Sequence, residues 1–211
     1  MLSKIFISFI LLSSLLFSNE ITNSLTSTSK VEDINELVNF LEKDKENKRN
    51  QFYLGNLYYF GASDEKGNKI QNKKKGLFYL LKASKNKYPL SNIILGDIFL
   101  SLKEIKKSIF FYNRALKYKD LDNVSYLKLA NLYFLINNDK KAMFILNKGD
   151  KKNIPEVQLK LALLYKDGYK SIKHNSFLAD KYLVKLCKNR ILMNKKIENF
   201  CSFYKKEKQN E

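Results

Sequence analysis

The chain has 211 residues, one domain's worth, with 39 Lys and Arg against 21 Asp and Glu for a formal charge of +18, and that length suffices to bury a continuous core. One His and two Cys exclude a multi-His or Cys-rich zinc site. Only Arg49, Arg114 and Arg190 are arginines, which disfavours bidentate recognition of phosphate or guanine, so no nucleic acid partner is expected.

Met1 to Lys4 supply a charge, Ile5 to Phe17 an uncharged apolar run, and Ser18-Asn19-Glu20 a small and polar boundary, the order of a secretory leader. Residues 1–18 are expected to be a signal peptide, leaving a mature N-terminus at Asn19. Only Lys4 departs with them, so the charge falls only from +18 to +17. The apolar run is short of the roughly 20 residues of a membrane span. An uncleaved leader is the alternative, and the one route by which membrane contact is expected. No Cys follows the run to take a lipid anchor. Residues 19–30 are rich in Ser, Thr and Asn and read as a flexible linker.

Ser29 and Glu32 have the spacing of a capping box, which opens a helix carrying Ile34, Val38 and Leu41 on one face. A stripe of Leu, a small residue and an aromatic three positions later then recurs four times: Leu54-Gly55/Tyr58, Leu95-Gly96/Phe99, Leu129-Ala130/Tyr133 and Leu161-Ala162/Tyr165. Each is followed by a triplet at helical spacing: Gly76/Leu80/Ala83, Ser108/Tyr112/Ala115, Ala142/Leu146/Gly149 and Ala179/Leu183/Leu186. These stripes predict four helix pairs in which the small residues mark close approach and the aromatics fill the gap between helices. Pro89 and Pro155 fall between units, where a residue unable to continue a helix is tolerated. Phe200-Cys201/Tyr204 repeats the first-helix stripe as a lone closing helix with Lys205, Lys206 and Lys208, and charged ends cap a stack against growth.

The first unit, Leu54-Gly55-Asn56-Leu57-Tyr58-Tyr59-Phe60-Gly61 and later Lys75-Gly76-Leu77-Phe78-Tyr79-Leu80-Leu81-Lys82-Ala83-Ser84, resembles the Sel1-like repeat, L-G-x-x-Y-x-x-G followed by K-A-x-x-Y-x-x-K-A-A. The middle units, with equal steps from Gly96 to Ser108 and from Ala130 to Ala142, resemble the tetratricopeptide pattern. The fourth repeats the plan of the first through Tyr165-Lys166-Asp167-Gly168. Gly76 stands where the family has Ala, the polar segment Ala62 to Asn72 replaces its glycine-rich loop, and the middle units lack the loop glycine. The resemblance implies an all-α fold: an α-solenoid, or superhelix, of antiparallel helix pairs over residues 31–207. It has about four full repeats with a half-repeat at each end, and residues 208–211 form a polar tail.

Lys185-Leu186-Cys187 resembles a segment of the cysteine-rich Sel1 proteins of Helicobacter, in which a bridge ties one repeat to the next. There the second Cys follows more closely. Cys201 lies about one turn, roughly 5.4 Å, further along its helix, whereas a bridge needs Cα atoms about 4.4–6.8 Å apart. A disulfide and two buried thiols both fit.

His174 is the only histidine and falls in the polar loop Ser171 to Ser176, so no nucleophilic triad is expected. The pattern S-x-x-K occurs several times, for instance at Ser27/Lys30, Ser84/Lys87 and Ser125/Lys128, but no S-D-N or K-T-G accompanies it. No catalytic, cofactor or metal residues are assigned. The sequence therefore reads as a non-enzymatic, exported scaffold of a bacterial envelope that binds a protein or peptide on its concave face. Asn56, Asp97 and Asn131, just after the small position of three first helices, are the candidate ligand-facing residues. Two alternatives stand beside it: a β-lactamase-like or penicillin-interacting protein, as the cysteine-rich relatives imply, and lysine-driven binding of an anionic envelope polymer.

Overall fold

The computed structural model of the protein describes residues 34–64, 67–118, 122–188, 197 and 201–202. The leader and linker (1–30), the capping box at Ser29 and Glu32, and Phe200, Tyr204 and the terminal lysines lie outside the described residues. The chain divides into two compact units after Lys103.

The first unit contains α1 (Ile34–Lys43), α2 (Lys48–Phe60), the strands β1 (Ala62–Ser63) and β2 (Lys69–Ile70), α3 (Lys73–Lys85) and α4 (Pro89–Ser101). The second contains α5 (Ile105–Ala115), α6 (Asp122–Leu135), α7 (Asp139–Lys151), α8 (Pro155–Asp167) and α9 (Ser176–Lys188). The fold is all-α, an α-solenoid of helix pairs. The first-helix stripes fall on α2, α4, α6 and α8, and the triplets on α3, α5, α7 and α9. Within the units the closest packing joins α2 to α3, α6 to α7 and α8 to α9; a tight turn links α6 to α7, and longer connections link the other two pairs.

Helix ends explain the register. Asn72, Asn138 and Asn175 each stand four residues before the small residue of a second helix, and their side chains accept from Lys75 N, Lys141 N and Leu178 N at 3.0, 3.1 and 2.9 Å. Asparagine at that place satisfies donors that the helix itself leaves open. The two prolines open α4 and α8 in their first turn, where the missing N–H is no loss and the fixed φ suits the helix. In the middle repeats, which lack the loop glycine, Lys103 and Asn137 adopt the left-handed conformation themselves, with φ of 60° and 56°. At Asn137 the turn closes with Asn138 N donating to Tyr133 O at 2.8 Å and Asn137 N to Phe134 O at 3.1 Å, a Schellman arrangement.

The polar segment after α2 contains a small antiparallel ladder pairing Ala62 with Ile70 and Ser63 with Lys69, where the sequence predicts only a loop. Ala62 and Ile70 rest against the core of Ile34, Val38, Leu41, Leu54, Leu57, Tyr58 and Tyr79. Asp64 of the same segment accepts from Ile34 N at 3.2 Å, so the loop helps to cap α1.

Candidate functional site

The small residues hold helices at backbone distance. A Cβ at Gly55 would stand 2.7 Å from Leu80 Cγ and 2.9 Å from Leu80 N. A Cβ at Gly76 would meet Tyr59 Cα at 2.6 Å and collide with Tyr59 N; α2 and α3 therefore approach too closely for the family's alanine. Ala83, Gly96, Ala115, Ala130, Ala142, Ala162 and Ala179 are all buried. Two of the four stripe aromatics form stacked pairs with a tyrosine of the second helix. Tyr58 lies 6.1 Å from Tyr79 with planes 9° apart, and Tyr165 lies 5.9 Å from Tyr182 with planes 2° apart. Tyr133 has Lys141 Nζ 5.6 Å from its ring centre.

Tyr58 also joins three helices. Its hydroxyl donates to Glu42 Oε1 at 3.0 Å and accepts from Lys75 Nζ at 2.6 Å, while Lys75 reaches the same Glu42 oxygen at 2.8 Å. The Lys75 hydrogen bond holds the Glu42 carboxyl below its ordinary value, against its partial burial. Burial opposes the charge on Lys75, yet its bonds to Glu42 and Tyr58 carry its pKa above that of an ordinary lysine.

The three predicted ligand-facing residues differ in what they offer. All are half-buried. Asn56 Nδ2 donates to Phe52 O at 2.8 Å within its own helix, whereas Asn131 Oδ1 is buried with no hydrogen-bond partner. Asp97 lies on α4 in the first unit. The corresponding place on α8 is Leu163, an exposed leucine that a criterion of polar residues at this position misses.

In the second unit an open cleft of about 430 Å³ lies between α7, Tyr165 at the end of α8 and the loop before α9. The loop is fastened from several directions. Ser171 donates to Asp139 Oδ2 through its hydroxyl at 2.7 Å and its N–H at 3.2 Å. Lys170 Nζ donates to Asn137 Oδ1 at 2.6 Å and to Phe134 O at 2.8 Å. Asn175 N donates to Tyr165 O at 2.7 Å. The Ser171 hydroxyl holds the Asp139 carboxyl below the usual carboxylate range. His174 Nδ1 lies 2.5 Å from Lys166 O; a carbonyl only accepts, so Nδ1 carries the proton. The cleft thus gathers the lone histidine and Lys140, Lys173 and Asn147 around a fixed rim.

No family model matches the chain, and no curated protein matches it. Solved structures do. A Sel1 repeat protein from Oxalobacter formigenes superposes with a TM-score of 0.54 at 21% identity, covering 70% of this chain and 59% of that one. A protective antigen of uropathogenic Escherichia coli with an SLR fold superposes with a TM-score of 0.57 at 17% identity, covering 85% of this chain and 39% of that one. The chain has a Sel1-repeat fold. It spans little more than half the length of the first Sel1 neighbour and well under half of the second.

Within this Sel1 fold the residues singled out for chemistry take structural places. Ser84 is buried and its hydroxyl donates to Asn92 Oδ1 at 2.8 Å, while Lys87 is exposed in the following turn. Ser125 is buried, and Lys128 is half-buried with its ammonium 5.8 Å from the Tyr112 ring centre. Ser27 and Lys30 lie outside the described residues. Among the described residues no group of three His, Cys, Asp or Glu could hold a metal, and no helix is long and apolar enough to cross a membrane. Of the two cysteine states that the sequence leaves open, the structure contains the bridge: Cys187 and Cys201 are joined with Cα atoms 5.5 Å apart. Leu186 and Ile197 pack around it.

Proposed function

We propose that this chain is a non-enzymatic, exported repeat scaffold of a bacterial envelope that binds an extended protein or peptide segment across its first helices. The supporting observation is in the second unit: first helices α6 and α8 touch directly and carry, at equivalent places, the half-buried amide side chain of Asn131 and the exposed Leu163. A polar side chain beside an apolar contact is what an extended backbone with side chains needs.

A peptide library displayed on phage and selected on the purified protein tests this. Enriched sequences should bind the wild type and lose at least tenfold in affinity with Leu163→Lys. The reading falls if no sequence is enriched, or if enriched peptides bind Leu163→Lys equally. A nitrocefin assay on the same protein separates the hydrolase alternative, for which turnover is required.

A further inference from the structure

A surface pattern recurs on the second helices that core packing does not require. In the second unit α5 and the turn after it carry Lys106, Lys107, Phe110, Arg114 and Lys117, and α7 carries Lys140, Lys141, Phe144, Lys148 and Lys151. The offsets from the phenylalanine are identical in the two segments: minus four, minus three, plus four and plus seven. These are the neighbours of one residue on a helix surface. The two phenylalanines stand two residues after the buried Ser108 and Ala142, at one register position, and are 55% and 58% exposed. Each ring has a cation against it. The Arg114 guanidinium carbon lies 5.8 Å from the Phe110 centroid and Lys148 Nζ lies 4.5 Å from that of Phe144. The first unit has the same pattern on α3: Lys74, Lys75, Phe78, Lys82 and Lys85, with Phe78 60% exposed. There Lys75 and Lys82 pair with Glu42 and Glu46, as Lys107 pairs with Glu104 in the second unit.

The partner must satisfy both halves of the pattern. A polyanion would draw the lysines and leave the rings in water, and a folded protein partner would have to supply pockets and acidic groups spaced to match rings on two separate helices. An anionic bilayer surface offers negative headgroups at the level of the ammonium groups and an apolar boundary just below for the rings. The basic side chains can lie along the helix with their charges outward while the rings enter. The net charge of +18 gives the long-range attraction and its sign. We infer that the second-helix face of the second unit, through Phe110 and Phe144 and the cations around them, docks on anionic phospholipid. This contact is separate from any made by an apolar leader and from the peptide contact proposed on the first helices.

Co-sedimentation of the full chain with vesicles tests it, comparing an equal mixture of phosphatidylglycerol and phosphatidylcholine with phosphatidylcholine alone. The wild type should partition at least tenfold more strongly onto the anionic vesicles and lose that preference as salt is raised. The double variant Phe110→Ser/Phe144→Ser should lose about tenfold or more on anionic vesicles. It should keep its circular dichroism and melting temperature, because both rings are mostly exposed. Lys140→Glu/Lys148→Glu should lose a comparable factor. Binding through the leader would persist on neutral vesicles and be the same in every variant, which would overturn the inference. Equal binding of the phenylalanine variant and the wild type would overturn it and leave charge attraction alone. Equal binding of the wild type to neutral and anionic vesicles would overturn it as well.

Discussion

At Gly76 the packing of a whole repeat comes down to one missing methyl group. The position faces Tyr59 backbone atoms rather than the end of a flexible side chain, so neither helix can yield locally. Gly76→Ala should therefore lose about 1–3 kcal/mol to overpacking despite alanine's better helix propensity, read as a lower urea midpoint at unchanged slope. Lys87 presents the opposite case. It is exposed, with φ of 59°, in the turn between α3 and α4, and its left-handed backbone costs about 1–2 kcal/mol that glycine would avoid, partly offset by glycine's greater freedom when unfolded. Lys87→Gly should raise stability by roughly 0.5–1 kcal/mol in the same titration, the difference between those contributions. Glu42 adds a pH dependence. Its folded pKa lies below the ordinary 4.5, so its contribution is present above that value and fades as the pH falls through the lowered one. Glu42 and Lys75 are each more than a third exposed, and solvent screening limits the pair to about 0.5–1 kcal/mol. Glu42→Gln should lose that roughly 0.5–1 kcal/mol at neutral pH and converge with the wild type as the pH falls below the ordinary carboxylate range, which flattens the acid side of the stability curve.

Among the elements, α9 is tied covalently to a residue C-terminal to it. The bridge from Cys187 to Cys201 closes a short loop with a separation of 14 residues, and closing one of that size contributes about 3 kcal/mol in the chain-entropy view. Reduction, or Cys201→Ala, should lower the melting temperature and open amides of α9 and α8 first in hydrogen exchange, leaving α2 and α3 protected. Lys185 gives α9 a second tie, its ammonium 2.7 Å from Asp150 Oδ1 and 3.2 Å from Asp150 O on α7. The loop before α9 is held by Asp139 and Phe134. These ties make the last pair an extension of the pair before it.

The molecule as a whole should respond to damage locally, because units in a solenoid are coupled chiefly to their neighbours. Ala115 on α5 and Ala130 on α6 are both fully buried, and α5 packs against α6. Ala130→Leu should cost about 1–3 kcal/mol and loosen amide protection across residues 108–146 before it reaches α1 near Ile34. Lys128 is unsuitable as the neutral control that its charge suggests, since it is half-buried near Tyr112; exposed Lys151 serves instead. Equal loss of protection everywhere would mean that Ala130 is not an interhelical contact.

The helix pairs were legible in the sequence because close approach demands small residues at fixed spacing, and that demand is local: Leu54-Gly55/Tyr58 and its three repetitions carry it in linear order. Asparagine caps and first-turn prolines are local for the same reason. Contacts made only when distant segments meet were not legible. The choice between bridge and free thiols depends on where Cys201 settles against α9, a distance that spacing along one helix does not define. The collision that forces glycine rather than alanine at position 76 depends on the path of the Tyr59 backbone. The commitment of Asn56 to Phe52, the unpartnered oxygen of Asn131 and the fastening of the 168–175 loop by Asp139 were set by tertiary structure, because one residue type at one repeat position meets different neighbours in each repeat. Sequence determines which surfaces must be small or apolar; only packing decides which polar atoms are already occupied and which are left to meet a partner.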